Sequence, residues 1–342
     1  MNHFEGRKII LGAPTDYNFS DMIERELRHQ GFEVVNISYL RQGKFKYKNI
    51  FERLKSFFHK NFLGQKYYKD YLKFKRAEAW MKGELAQIVH ADFAFLIRPD
   101  QYSEEIIKFI KRRSSNMVAY QWDGLDRFPA VRSLVKYFDR FFVFDPHDLG
   151  GQNLLPITNF YTSSPVVLHT DSALASDACF IGTYMSDRSL QVEQLITGLS
   201  SAGLNVRYHI CHGKKAKPDF KTLTTTTEKL SYLENLQISY NTNILIDISN
   251  QVHNGLSFRV FEAIGFQKKM ITTSQEVKKY DFYHPNNFFV WGSHSKEMLD
   301  EFLAAPFVPL PTDIKKKYSF DNWVRYLLDE GEYMQIDLPK TD

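Results

Sequence analysis

Short, nearly continuous apolar runs alternate along this chain with segments whose apolar residues recur every three or four positions. Lys8–Pro14, KIILGAP, reads as a strand, Phe19–Gln30 as a helix ending at Gly31, and Glu33–Ser38 as a second strand. Further on, Ala91–Ile97 (ADFAFLI) is a buried-strand run, and Ser103 caps the helix EEIIKFIKRR. Met117–Gln121 and Arg140–Phe144 add two more strands with a short helix between them. Apolar strands each followed by a helix predict a parallel sheet covered on both faces.

Residues 162–177, TSSPVVLHTDSALASD, break this rhythm and read as a linker. A second alternation follows: strand Ala178–Ile181, helix Ser189–Ser201 ending near Gly203, strand Val206–Ile210, and the basic loop HGKKAKPD. Next come a helix near Ser231–Ile238, strand Asn243–Ile248, helix Ser257–Gly265 and strand Met270–Thr273. Pro306, Pro309 and Pro311 close that unit, and a last helix at Phe320–Leu328 is expected to return to the first domain. The pattern predicts an α/β fold of two Rossmann-like doubly wound domains facing across a cleft. They span 1–165, with a helical insert at 41–90, and 176–312, followed by a C-terminal helical segment at 313–342.

Length and composition agree with this picture. The chain has 342 residues, enough for two domains, with 43% hydrophobic and 25% charged residues. Two cysteines, Cys179 and Cys211, exclude a disulfide framework and suit a reducing compartment. No run approaches the ~18 apolar residues of a membrane span, and MNHFEGRKIILGAP lacks a leader's apolar region, so a cytoplasmic protein is expected.

The net charge of +4 is unevenly distributed. Residues 41–76 hold 12 Lys/Arg against Glu52 and Asp70, a local +10, and the remainder sums to −6. The same window holds ten of the chain's aromatic residues. Ile50, Phe51, Leu54, Phe57 and Phe58 repeat at helical spacing, and Lys66, Lys69, Lys73 and Arg76 would line one face of a following helix. Such a surface suits anionic lipid headgroups or a lipid-linked substrate. Alternatively, the aromatics pack inward and the cations are merely solvated. Nucleic acid is not expected as a partner, because nothing else in the chain is comparably basic.

The most informative stretch is Asn243–Thr273, NILIDISNQVHNGLSFRVFEAIGFQKKMITT. A strand ends, a polar loop follows, and Gly255 opens a helix whose free N–H groups favour an anion such as a diphosphate. Ser257 would cap that helix or donate to phosphate. Arg259 would clamp phosphate oxygens, and Glu262 one turn on would accept from ribose hydroxyls. A plainer alternative is a capped core helix in which Arg259 and Glu262 form a surface pair. In DACFIGTYMSDR, Gly182 and Thr183 follow a strand and would meet the donor phosphate, and Arg188 would neutralise it as it departs. Lys214 and Lys215 either face the same ligand or are solvated.

Gln251, His253, Gly255, Leu256, Ser257, Arg259 and Glu262, followed by GFQKKMITT and KKYDFYHPNN, resemble the donor-binding half of GT-B-type glycosyltransferases, most of all those of bacterial capsule or lipopolysaccharide synthesis. The resemblance covers about 240–290 and extends weakly to the whole chain. It implies a C-terminal domain holding a nucleotide-sugar, with Glu262 on the ribose, the Gly255–Ser257 turn cradling the diphosphate, and His253 and Asn254 among the donor-binding residues. Many retaining members carry Glu-x7-Glu, whereas Asn254 stands eight positions before Glu262 here, so the anomeric outcome stays open. No Asp-x-Asp pair is seen, and a metal-independent reaction is expected.

Acceptor chemistry is expected at the strand ends of the first domain. Asp123 and Asp16 are candidate general bases, and Arg98, Asp100 and Trp122 candidate acceptor-binding residues. His147 is a weaker candidate, and His209, Cys211 and His212 lack zinc-like spacing. The expected function is transfer of a sugar from a nucleotide donor to a growing, lipid-linked surface glycan at the inner face of the membrane. The alternatives are a nucleotide-sugar epimerase and a non-catalytic binding protein of the same fold.

Overall fold

The computed structural model describes residues 3–38, 46–61, 68–151, 153–164, 168–249, 254–292 and 295–340, with the backbone alone for 59–61, 68–71, 73 and 74. Contacts divide the chain into two units, Met1–Tyr120 with Ala130–Phe141, and Gln121–Pro129 with Phe142–Asp342.

Along the first part run β1 (Lys8–Gly12), α1 (Phe19–His29), β2 (Glu33–Asn36), α2 (Ile50–Asn61), α3 (Tyr68–Ala86), β3 (Ala91–Ile97), α4 (Glu104–Lys111), β4 (Ser114–Gln121), β5 (Arg140–Val143) and β6 (Leu154–Pro156). The strands form one sheet in the order β2-β1-β3-β4-β5-β6. β1 runs parallel to β2 and β3, and β3 to β4. The order reverses between β1 and β3, the place where sheets of this kind bind ligands beyond their carboxyl ends. α4 begins where the sequence places it, with Ser103 Oγ accepting from the Ile106 N–H at 3.2 Å.

Helix α2 differs from the inward-packing alternative. Among its described side chains the buried one is Ser56, and half-buried Glu52 lies on the same side. Tyr47 Oη donates to Ser56 Oγ at 3.2 Å, and Arg76 of α3 binds Glu52. Ile50, Phe51, Leu54, Phe57 and Phe58 are all exposed. Helix α3 docks in the opposite sense, burying Ala77, Met81 and Leu85 at four-residue steps.

The second part comprises β7 (Ser176–Thr183), α5 (Ser189–Ser201), β8 (Val206–Cys211), α6 (Tyr232–Tyr240), β9 (Thr242–Asp247), α7 (Phe258–Phe266), β10 (Lys269–Thr272), β11 (Phe288–Val290), α8 (Lys296–Ala304), α9 (Thr312–Lys317) and α10 (Phe320–Leu328). Its five strands lie in the order β11-β10-β9-β7-β8, and every neighbouring pair is parallel. Successive residues face opposite sides of the sheet. Ala178 and Phe180 join Leu195, Leu199 and Phe302 on one face, and Cys179 and Leu245 join Val260, Phe261 and Ile264 on the other.

Helix boundaries follow from caps. Gly203 holds φ +91° just beyond α5, and α6 opens with a reciprocal box between Ser231 and Glu234. Helix α10 packs on the segment between the two sheets: Trp323 Nε1 donates to the Thr158 carbonyl at 2.7 Å, and Tyr326 Oη to Pro156 at 2.9 Å. β6 and β11, three residues each, are too short to leave a period in the sequence. Both sheets are thus of the expected Rossmann-like kind.

Candidate functional site

In the second sheet the strand order reverses between β7 and β9. Arg188 lies there, in the turn leaving β7. Its Nη1 donates to the Ile248 carbonyl beyond β9 at 2.7 Å, and its Nη2 to the Thr183 carbonyl at the end of β7 at 3.4 Å. Burial pulls the guanidinium below its ordinary pKa, while Asp247 and Asp187 pull it back up. Nε is buried without a hydrogen bond. An arginine at a switch point, with donor capacity left over, is equipped to receive an anion.

Hydroxyls and one carboxylate line the adjoining strand ends. Asp247 closes β9 and accepts from Ser257 Oγ at 2.7 Å and from Thr272 Oγ1 at 3.2 Å. Thr273 Oγ1 accepts from the Ser249 N–H at 2.9 Å. Because Ser257 gives its hydroxyl to Asp247, no side chain of its own caps α7, although its backbone holds the extended N-cap conformation. The first N–H groups of α7 therefore lie beside this polar edge.

Gly255 does make a close approach, but to protein. A Cβ there would lie 2.3 Å from Phe144 Cδ2 and 2.8 Å from the Phe144 carbonyl oxygen. The neighbouring Asn254 N–H donates to Asp145 Oδ2 at 3.0 Å, and Asn254 Nδ2 meets His147 Nδ1 at 2.9 Å. Buried Asp145 also accepts from the His147 N–H at 3.0 Å. Asp145 thus holds the end of this loop, just before α7, against the segment after β5. Leu256 is a core residue whose carbonyl accepts from Asn159 Nδ2 at 2.8 Å.

Arg259 and Glu262 are buried, which rules out the alternative of a surface pair. Arg259 turns toward α6, donating to Ser239 Oγ and, at 2.8 Å, to Asn235 Oδ1. Its Nη1 stands 3.1 Å from Glu262 Oε2, an ion pair whose geometry leaves that oxygen without a directed hydrogen bond. Burial pushes the Glu262 carboxyl up, against the pull of Arg259. Glu262 borders a 460 Å³ cavity whose walls include Tyr161, Ser163, Gly265, Lys315 and Asp321.

The remaining candidates separate. Gly182 lies within β7, where a Cβ would meet the Phe180 ring at 2.9 Å, and Thr183 Oγ1 is 3.5 Å from Cys211 Sγ. Lys214 and Lys215 sit exposed in a turn beyond β8. His253 lies outside the described residues, as does Lys66; Lys69 and Lys73 fall on the α3 backbone, and Arg76 bonds to Glu52 and the Lys46 carbonyl. Trp122 packs edge-on to Phe258, the first residue of α7, with ring centroids 6.1 Å apart. Asp123 pairs with Arg127 at 2.9 Å. In the first unit, Asp16 is exposed just beyond β1, and Arg98 grips Asp100 through both oxygens at 2.7 Å.

Sequence reasoning missed Asp145, Asp247, Asn235 and Ser239. The signal for the first two was present: an Asp at the carboxyl end of an apolar strand run, in FVFD and NILID.

The whole architecture is similar to that of solved GT-B proteins. An alpha-glucosyltransferase in complex with UDP-glucose and DNA containing an abasic site matches at TM-score 0.51 and 11% identity, over 86% of this chain and 89% of that one. A putative UDP-N-acetylglucosamine 2-epimerase from Listeria monocytogenes matches at 0.48 and 10%, over 97% and 99%. The glycosyltransferase SnogD from Streptomyces nogalater matches at 0.44 and 11%, over 88% and 91%. No protein-family model and no curated protein matches the chain. The likeness is one of fold: two parallel-sheet, Rossmann-like α/β domains of the GT-B glycosyltransferase kind.

Proposed function

We propose that the protein transfers a sugar, without a metal, from a nucleotide-sugar to a growing, lipid-linked surface glycan. The observation that carries this reading is Arg188 at the β7/β9 switch point, half-buried and with a buried Nε unbonded, beside the uncapped N-terminus of α7. The donor diphosphate would lie between them, and the fold neighbour solved with UDP-glucose supports a donor of that class. The acceptor oxygen attacks the anomeric carbon as its bond to the diphosphate breaks. The nucleoside diphosphate leaves with the electron pair, its charge met by Arg188 and the helix N–H groups. The acceptor proton passes to a carboxylate, for which Asp123 of the same unit is the candidate.

Arg259 acts as a positioning residue in this scheme. It holds Glu262, a carboxylate bordering the cavity and suited in kind to accept from a ribose hydroxyl. The basic segment 41–76 supports a lipid-linked acceptor at the inner membrane surface. The test is a thermal-shift screen of nucleoside diphosphates and their sugar conjugates. One nucleotide series should raise Tm at saturation, since a ligand of the folded state stabilises it by mass action. If no member of the panel moves Tm, the reading is overturned.

A further inference from the structure

Helix α2 carries its amphipathic character inside out. At about 100° per residue, Ile50, Phe51, Leu54, Phe57 and Phe58 fall within an arc of roughly 120°. These five side chains are 68%, 75%, 57%, 60% and 51% exposed. Glu52 and Ser56 lie on the opposite side and are the side chains α2 turns inward, among those described. Arg53 and Lys55, both exposed, fall at the two edges of the apolar arc. Lys46 and Lys48, also exposed, precede the helix in a segment with net charge +10.

Five large apolar groups kept in water are expensive unless something covers them. The flanking charges say what does: an apolar strip edged on both sides by cations matches the acyl-chain boundary of a bilayer with anionic headgroups above it. We propose that α2 is an interfacial anchor that lies along an anionic membrane surface. Phe51, Leu54 and Phe58 would enter the acyl boundary, and Arg53 and Lys55 would meet the lipid phosphates. The proposal deepens the membrane part of the reading above, and it assigns contact to the apolar arc of α2 instead of the α3 lysines. Helix α3 supports the anchor from behind, through Arg76 on Glu52.

The experiment is co-sedimentation of the full chain with vesicles of phosphatidylcholine, with and without about 30% phosphatidylglycerol, at low and physiological salt. Wild type should pellet with the anionic vesicles only. Phe51→Gln/Phe58→Gln should weaken that partitioning on the order of tenfold or more, through lost apolar burial. Arg53→Gln/Lys55→Gln should weaken it several-fold and flatten its salt dependence. Because all four side chains are exposed, each variant should keep the wild-type circular dichroism spectrum.

Wild type that stays in the supernatant, or apolar variants that pellet as wild type does, would overturn the anchor. So would a wild-type dimer in light scattering that Phe51→Gln/Phe58→Gln converts to monomer, since α2 would then cover a second copy of this chain. Nucleotide-induced Tm shifts measured on the same samples separate the two readings: losing the anchor leaves them intact, and losing the donor site leaves vesicle binding intact.

Discussion

Ser257 donates its hydroxyl to Asp247 Oδ1 at 2.7 Å, so the residue just before α7 is tied to the end of β9 and caps no helix N–H. The bond joins two sides of the same polar edge and leaves the helix N-terminus to an outside acceptor. Ser257→Ala should therefore lower stability by no more than about 1 kcal/mol, the ordinary loss of a hydrogen bond. It should nonetheless weaken nucleotide binding, because Asp247 then turns an unpaired acceptor toward the anion. Thermal melts with and without nucleotide check both parts.

Gly255 faces the Phe144 carbonyl as well as its ring, and a main-chain oxygen cannot swing aside. Gly255→Ala should destabilise by about 1–3 kcal/mol through overpacking, read as a fall in urea midpoint at unchanged slope. On a Phe144→Ala background, which is itself destabilised by the buried ring it removes, the ring clash is gone but the carbonyl remains, so Gly255→Ala should still destabilise there, by less than in wild type. No cost of Gly255→Ala on that background would mean that the backbone contact is unimportant.

Breaking the buried Arg259–Glu262 pair from one side should be severe. Arg259→Met alone strands a carboxylate that burial already disfavours, at about 3–5 kcal/mol, whereas Arg259→Met with Glu262→Leu should lose less than the sum of the single changes. Equilibrium unfolding of the four proteins in the cycle measures the difference. An additive cycle would show that the two side chains act independently.

The fold of both sheets was open to reading because apolar strand runs and capped helices carry their own periods. Ser103, Ser231 and Ser257 mark their helix starts within a residue. What the sequence could not supply is what each face meets. The spacing of Ile50, Phe51, Leu54, Phe57 and Phe58 defines an arc but not whether it turns inward, and the Glu52–Arg76 contact, 24 residues apart, decides that. A glycine before a helix signals a close approach, yet Phe144 as its object comes from a strand end more than a hundred residues earlier. Arg259 lies on the right turn for a phosphate clamp, but Ser239 and Asn235 of α6 take its donors.

Alkaline pH should loosen the second unit. Burial, with Asp321 nearby, pushes the Tyr161 phenol up to about 12; burial likewise raises Tyr280 and Tyr318. In the unfolded chain these groups ionise near their ordinary value of about 10. Their stabilising effect is thus complete below pH 10 and falls away as pH rises toward 12. Tm should decline across that window, and less steeply in Tyr161→Phe. A flat profile would contradict the burial of these phenols.

The carboxyl ends of β7 and β9 are proposed to bind a nucleoside diphosphate through Arg188. Isothermal titration calorimetry of UDP, GDP and dTDP into wild type, Arg188→Lys and Arg188→Ala tests it directly. One of these nucleotides should bind wild type, Arg188→Ala should bind it at least about tenfold more weakly, and Arg188→Lys should fall between. Equal affinity in wild type and Arg188→Ala, or no binding of any of the three at about 1 mM, which leaves room only for a Kd weaker than about that value, would contradict it.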